Sequence, residues 1–382
     1  MNEQHPNPAL LPQGLRDLLP PEAETEAAAV AALMAVFAAH GYQRVKPPLM
    51  EFADGLLAGA GAAMAEQTFR VMDPDTLRML GVRADMTPQV ARIAATRLAQ
   101  QPRPLRLSYA GQCLRVQGGQ LAQDRQVAQA GIELIGADSP AADAEMVLVG
   151  AEALGAMGLR AFSFDLTLPQ LAPTLLDEAG VSGAARNALS RALDRKDAAA
   201  VAQHGGSLAP LLTELLHVAG PVGPALESLH AIRLPAAAAT LCDRLRDVVA
   251  AIQARAPGVR LTLDPIEFRG LRYHTGVCMT VFAPGQPEEL GRGGRYVSGE
   301  AEPATGLTLF PDAVLRACPV HPPRPRAFLP WGSLPEQGAA LRRQGFATVP
   351  GLHDAPAMAE AARLGCTHIL RDGAAVPVSL ES

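Results

Sequence analysis

The sequence predicts an α/β fold built on a mixed, mainly antiparallel sheet flanked by helices, with a helical insertion at about 170–255 and a small C-terminal α/β domain. Three observations predict it. PLRLSYAGQCLRV (104–116) and VAQAGIELI (127–135) are long strand-like runs on either side of a Gly/Gln-rich loop, the pattern of an antiparallel hairpin. Residues 170–255 lose strand alternation and hold Ala/Leu-rich helical runs broken at Gly180, Gly205, Gly206 and Pro221–Pro224. HPPRPR (321–326) is a linker, because proline cannot join a β-ladder, and beyond it the pattern runs strand, helix, strand, helix, strand. The expected division is therefore a core at 1–320 and a small domain at 321–382.

In chain order, Pro20 and Pro21 open a helix at its first turn, with Glu22, Glu24 and Glu26 facing the positive end of its dipole. Val30, Leu33, Met34 and Phe37 follow at helical spacing, and Gly41 stops the run. FRVMD and LRMLGVRAD flank Pro74 and Asp75, a hairpin signal, and a helix is expected next with Thr87 as N-cap and Pro88 at the first helical position. Period-two alternation then sets Gln129, Gly131 and Glu133 on one face of their strand, with Ala128, Ile132 and Leu134 on the opposite, packed face. Asp138, Ser139 and Pro140 start a helix reaching about Gly158, and FSFDLTL (162–168) is a further strand. Strands resume at LTLDP (261–265) and YHTGVCMTVF (273–282), before GRGGRY (291–296) and a strand-to-helix passage at 304–317.

Composition excludes several classes. Apolar residues make up 48% of the chain and charged residues 19%, so intrinsic disorder is ruled out, and no Gly-X-Y period builds a collagen-like chain. A formal net charge of -5 opposes a broad nucleic-acid surface, so no tRNA partner is expected. Lys46 and Lys196 are the only lysines among 33 basic residues, a compositional bias that keeps any one arginine from identifying an anion site. The five cysteines are odd in number, scattered and never spaced C-x2-C, so neither a disulfide framework nor a zinc site is expected, and no cofactor is. The polar, proline-bearing N-terminus lacks a secretory pattern and no apolar stretch has membrane-spanning length. A cytoplasmic chain without a membrane span is expected.

Four segments carry side chains suited to chemistry, each with a plainer structural role beside it. In VRADMTPQVARI (82–93), Asp85 and Thr87 stand where a strand meets a helix, as caps or as a carboxylate and hydroxyl gripping an amino group. Arg115 leaves an apolar strand for a Gly-rich loop, as a surface residue or an anion clamp. Gln129 and Glu133 share an inward face, where an unpartnered carboxylate and amide cost several kcal/mol; either they tie the sheet together or a polar ligand satisfies them. FRGLRYHTG (268–276) sets Arg269, Tyr273 and His274 between two glycines, as a packed surface hairpin or as an anion donor, a phenol and an imidazole at one site. GRGGRY lacks both the Lys-Ser/Thr of a Walker motif and G-x-G-x-x-G spacing, which favours close backbone packing over nucleotide binding.

Taken in order, LPQGLRDLLPPEA, VRADMTPQVARI, LSYAGQCLR with AQAGIELIG, FRGLRYHTG and GRGGRY resemble the class II aminoacyl-tRNA synthetase core, in its histidyl-tRNA synthetase branch, over roughly residues 10–318. The resemblance implies that Arg115 corresponds to the motif 2 arginine and that Asp85, beside Thr87, replaces a glutamate holding the α-amino group of histidine. It implies that Gln129 and Glu133 read the amino group and imidazole, that Arg269 is the arginine of the R-G-L-D-Y-Y segment, and that Tyr273 and His274 replace its tyrosines. The adenylation residues depart from that pattern. Motif 2 reads Arg115, Val116, Gln117 where Arg-x-Glu is expected, Val127 stands where an aromatic stacks on adenine, and Phe310, Pro311, Asp312, Ala313 replace the Gly-x-Glu-Arg of motif 3. Losing an arginine that stabilises phosphoryl charge costs orders of magnitude in rate, so histidine activation is not expected.

A histidine pocket without adenylation residues resembles the family of ATP phosphoribosyltransferase regulatory subunits, which the YHTG variant and the length also fit. That resemblance implies a non-catalytic partner of the short-form ATP phosphoribosyltransferase catalytic subunit, required for the first step of histidine biosynthesis and for feedback inhibition by histidine. It also implies a homodimer core within a hetero-oligomer. Two alternatives from other classes are a divergent histidyl-tRNA synthetase, marked by histidine-dependent pyrophosphate exchange, and a free-standing histidine-binding paralogue.

Overall fold

The computed structural model describes residues 9–118, 123–267, 273–319 and 324–378. Arg269 lies outside them. The chain divides into two compact units, residues 1–319 and 320–382.

The first unit opens with α1 (Glu22–Ala39), whose buried Ala29, Leu33, Met34 and Phe37 form one stripe and whose end is followed by Gly41 at φ 81°. Short strands β1 (Gln43–Arg44) and β2 (Met50–Phe52) and the turn α2 (Ala53–Leu56) lead to the hairpin β3 (Arg70–Met72) and β4 (Met79–Val82). Strand β2 joins that hairpin in a three-stranded sheet ordered β2-β4-β3. Helix α3 (Thr87–Thr96) starts with Met86, not Thr87, at its N-cap: Asp85 Oδ1 accepts the Thr87 amide at 2.9 Å, so the capping carboxylate comes from outside the helix and the Thr87 hydroxyl is left for other partners. The long hairpin β5 (Leu105–Leu114) and β6 (Gln126–Ile135) follows, then α4 (Pro140–Ala156), capped by Ser139.

Strand β7 (Ser163–Thr167) enters the helical insertion. It holds α5 (Leu171–Glu178), α6 (Gly183–Asp194), α7 (Ala198–His204), α8 (Ala209–Leu216), the two-residue strand β8 (Gly220–Pro221), α9 (Val222–Ala231) and α10 (Ala236–Arg255). Buried Ala238, Cys242, Leu245, Val249 and Ile252 repeat every three or four residues and pack α10 on α4. The chain returns through β9 (Arg260–Leu263), β10 (His274–Phe282), β11 (Gly291–Ser298) and β12 (Glu302–Leu309) to α11 (Pro311–Ala317).

Among the described residues these strands make a nine-stranded sheet ordered β1-β5-β6-β12-β11-β10-β7-β9-β8, antiparallel except for the pairs β1/β5 and β7/β9. Its two faces separate by strand parity. Ala130, Ile132 and Leu134 of β6, Val277 and Met279 of β10 and Leu307 of β12 join α1, α4 and the insertion in the large apolar core. The opposite face meets α3 in a smaller cluster with Leu107, Tyr109, Cys113 and Tyr296, and that face carries the polar residues.

A buried ionic knot ties the core face together. Asp143 in the first turn of α4 is fully buried, and Arg295 of β11 donates to it through Nε at 2.9 Å while its Nη1 donates to the Ala137 carbonyl at 3.1 Å. Arg244 of α10 reaches the same carboxylate at 3.2 Å, so sheet, core helix and insertion share one charge.

The second unit is a four-stranded sheet ordered β14-β13-β15-β16. Its elements are β13 (Arg326–Leu329), α12 (Pro335–Arg343), β14 (Ala347–Pro350), α13 (Ala357–Arg363), β15 (His368–Arg371) and β16 (Ala374–Pro377). Strand β13 runs parallel to β14 and β15. Strand β16, absent from the sequence pattern, is added by a two-residue turn at Asp372 and Gly373, both at positive φ, the backbone that an Asp-Gly hairpin adopts. Trp331, the only tryptophan of the chain, follows β13 and is 61% exposed.

Candidate functional site

The site face is built around Glu133. Register across the sheet sets Leu107, Glu133, Gly306 and Gly294 in one row, and Tyr109, Gly131, Thr308 and Arg292 in the next. Glycine in the rows makes room for its neighbours: a Cβ at Gly306 would lie 1.9 Å from Glu133 Oε2, and one at Gly131 would lie 2.5 Å from the Tyr109 ring. The carboxylate and the phenol therefore lie flat over bare backbone.

Glu133 is 1% exposed, and three hydroxyls donate to it: Thr87 to Oε1 at 2.9 Å, Tyr109 to Oε1 at 3.2 Å and Tyr296 to Oε2 at 2.9 Å. Burial, with the Asp85 charge nearby, pushes its carboxyl up to about 8 despite those donors. Burial and the Glu133 charge likewise push the Tyr109 and Tyr296 phenols well above their ordinary range, so both stay protonated and donate. Tyr109 is in turn 2.7 Å from Thr308 Oγ1.

Asp85 and Gln129 form the second acidic group. The buried Gln129 donates through Nε2 to Asp85 Oδ2 at 2.8 Å and accepts the Met86 amide at 3.0 Å and the Cys113 thiol at 3.3 Å. Burial pushes that thiol up to about 12, which keeps it a donor. The strand-to-helix passage bearing Asp85 is fixed by Arg83, whose Nε donates to the Gln112 carbonyl at 2.8 Å and whose Nη1 donates to the Pro47 carbonyl at 3.2 Å.

A cavity of about 330 Å³ opens over this floor, lined by Asp85, Thr87, Arg115, Tyr273 and His274 together with Arg292 and Phe310. The His274 ring is buried against Tyr273, with centroids 4.0 Å apart, and Tyr273 meets Tyr296 edge to face at 6.1 Å. Arg115 donates through Nε to the Ala84 carbonyl at 3.4 Å, and its guanidinium stands 6.0 Å from the Phe310 ring, as does that of Arg292. Asp85 thus lines the cavity together with the guanidiniums of Arg115 and Arg292, an arrangement that suits a zwitterion with a polar side chain.

Seven of the eight candidate residues, Asp85, Thr87, Arg115, Gln129, Glu133, Tyr273 and His274, converge here, and the eighth, Arg269, lies outside the described residues. Tyr109, Tyr296, Thr308 and Arg292 are the members that sequence reasoning misses. The signal for them is glycine inside strands, at Gly131 and in GRGGRY, which marks positions where a side chain from the next strand must lie.

Sheet order, polar floor and cavity define the class: this is the core of a histidyl-tRNA synthetase-type protein. A family model described as Histidyl-tRNA synthetase matches residues 14–314. Among solved structures, an ATP phosphoribosyltransferase regulatory subunit/histidyl-tRNA synthetase from Bacillus halodurans superimposes with a TM-score of 0.79 at 23% identity, covering 96% of this chain and 98% of that one. Histidyl-tRNA synthetase from Nostoc gives 0.78 at 17% identity, covering 95% and 91%. Both share the fold. Sequence separates the branches. The ATP phosphoribosyltransferase regulatory subunit of Paramagnetospirillum magneticum is 55% identical over 95% of this chain and 96% of its own. That of Gluconobacter oxydans is 52% identical over 98% of each. The chain belongs to the ATP phosphoribosyltransferase regulatory subunits. Its role is accordingly regulatory and not catalytic.

Proposed function

We propose that the cavity binds free histidine and that its occupancy turns down a short-form ATP phosphoribosyltransferase catalytic subunit that needs this chain for activity. The observation that carries this reading is the mixed lining of the cavity: Asp85 and Thr87 stand in it with Arg115 and Arg292, while Gln129 donates to Asp85 and Glu133 accepts from Thr87. Histidine lies across the sheet with its ammonium toward Asp85, its carboxylate toward the arginines and its imidazole near Glu133 and Tyr273. The altered adenylation positions, Gln117, Val127 and the Phe310–Ala313 run, support binding without activation. Inhibition requires histidine to bind the inhibited assembly more tightly than the active one.

A homodimer within the hetero-oligomer is part of the proposal. Exposed large apolar side chains gather at Leu49, Phe52, Val71, Met72, Leu77 and Met79, on and beside the three-stranded sheet, which supports a second copy docking there. Light scattering on the wild type and on Val71→Asp checks it, with a monomeric variant expected.

The deciding experiment is phosphoribosyl-ATP formation by a short-form catalytic subunit, with and without this chain, across a histidine titration. Activity that depends on the chain and falls with histidine supports the proposal, and activity indifferent to the chain refutes it. Asp85→Ala, which removes a charge-assisted bond, and Glu133→Ala, which removes a buried hydrogen-bonding group, are each expected to weaken histidine inhibition by about tenfold. Calorimetric titrations indistinguishable from wild type for both variants would place the pocket elsewhere.

A further inference from the structure

We propose that Arg292 is a ligand-binding residue of this cavity, closing with Arg115 on the carboxylate of the bound amino acid. The proposal rests on the histidine reading above and adds the residue that selects the free acid over ligands lacking a carboxylate.

Arg292 on β11 stands opposite Thr308 on β12, Thr308 opposite Gly131 on β6, and Gly131 opposite Tyr109 on β5. Residues opposite one another in antiparallel strands share a face, so Arg292 rises from the same surface as the Tyr109–Glu133 group. Two strand spacings of about 4.8 Å separate it from the backbone of β6, a span of roughly 10 Å that an amino acid can bridge with help from the long arginine side chain.

Glu289 holds one end of the Arg292 guanidinium, at Nη2. The Arg292 Nε is buried with no hydrogen-bond partner among the described residues. An N–H without an acceptor is costly, and turning the guanidinium toward a carboxylate in the cavity would give it one. Arg115 is in a similar state, with a single long side-chain bond to a carbonyl and no acidic partner among the described residues. Both guanidiniums stand 6.0 Å from the Phe310 ring and line the same cavity. A planar carboxylate matches the fork of each.

Within its own segment Arg292 is set apart from its neighbours. In GRGGRY the glycines serve backbone packing: a Cβ at Gly291 would meet the Thr308 carbonyl at 2.5 Å, and one at Gly293 the Gly306 carbonyl at 2.1 Å. Arg295 is committed to Asp143 on the opposite face, and Tyr296 to Glu133. Arg292 is the member that lines the cavity, and its Nε has no acceptor among the described residues.

Calorimetric titration of the wild type, Arg292→Gln and Arg292→Lys with histidine and with histamine, which lacks the carboxylate, tests this. Wild type is expected to prefer histidine by about tenfold or more. Arg292→Gln is expected to weaken histidine by about tenfold and leave histamine unchanged, so the preference collapses. Arg292→Lys keeps the charge but not the fork and is expected to lie between. An unchanged preference in Arg292→Gln overturns the proposal while leaving the histidine reading intact, and an equal loss for both ligands overturns it by showing a structural role. If wild type binds neither ligand, the histidine reading itself fails and the proposal falls with it. Should Arg292→Gln melt early, the Arg292→Lys contrast decides alone.

Discussion

Glu133 illustrates how far surroundings can move a single group. Three hydroxyls donate to it, each of which favours the ionised form, yet burial outweighs them and its carboxyl titrates at about 8. The unfolded chain loses this proton near 4.5, whereas the folded protein keeps it until about 8. Between those limits the native state binds more protons, so the stability due to Glu133 is full below the unfolded value and is lost as pH rises through the folded one, by up to about 1.4 kcal/mol per pH unit. Glu133→Gln has no such proton to lose. Urea melts of both proteins across about pH 5 to 8 are expected to show wild type losing stability relative to Glu133→Gln as pH increases. Parallel curves would mean that the carboxylate is held ionised throughout.

At the scale of elements, the site depends on what two strands leave out. Gly306 and Gly131 are seats for the Glu133 carboxylate and the Tyr109 ring, and a methyl group at either overlaps the side chain above it. Gly306→Ala is expected to cost about 1–3 kcal/mol in thermal melts and to weaken histidine binding along with it, because the carboxylate must leave its seat. An exposed glycine such as Gly285, which has open space around its absent Cβ, gives no comparable clash, although its φ of 76° carries its own strain. The same elements show why the sequence reveals some of the site and hides the rest. Alternation within a single strand is local, so Gln129 and Glu133 can be placed on one inward face from residues 127–135 alone. The meeting of Tyr296 with Glu133 joins residues 163 apart in the chain and depends on the mutual register of β6, β12 and β11, which no local pattern encodes. The Thr87 hydroxyl is similar: as an expected cap it turns inward, but only the packing of α3 against the sheet shows that it donates to Glu133.

For the molecule as a whole, the broad architecture is legible because it follows from long-period features: strand runs, a helical stretch and a proline-rich joint. What holds the first unit together is less so. Arg295 lies in a glycine-rich segment that invites a nucleotide reading, yet it ends on the fully buried Asp143 and shares it with Arg244 of the insertion. Arg295→Met leaves the buried Asp143 with Arg244 as its remaining cation and is expected to destabilise the protein by about 1–3 kcal/mol in urea melts, while adding Asp143→Leu, with Arg244 still paired to Asp138, is expected to recover part of the loss. A double variant as weak as the single one would refute the charge argument. Finally, the aromatic residues are unevenly shared. Tyr42, Tyr109, Tyr273 and Tyr296 are all the tyrosines and belong to the first unit, where the last three gather at the cavity, while Trp331 stands alone and exposed in the second. Indole emission therefore reports on the C-terminal unit alone, and the phenols report on the first unit, three of the four from the cavity and one, Tyr42, from the core beside Glu145. The unmodified chain carries two optical channels, so a spectroscopist can follow ligand arrival and events in the other unit in one cuvette without attaching a dye.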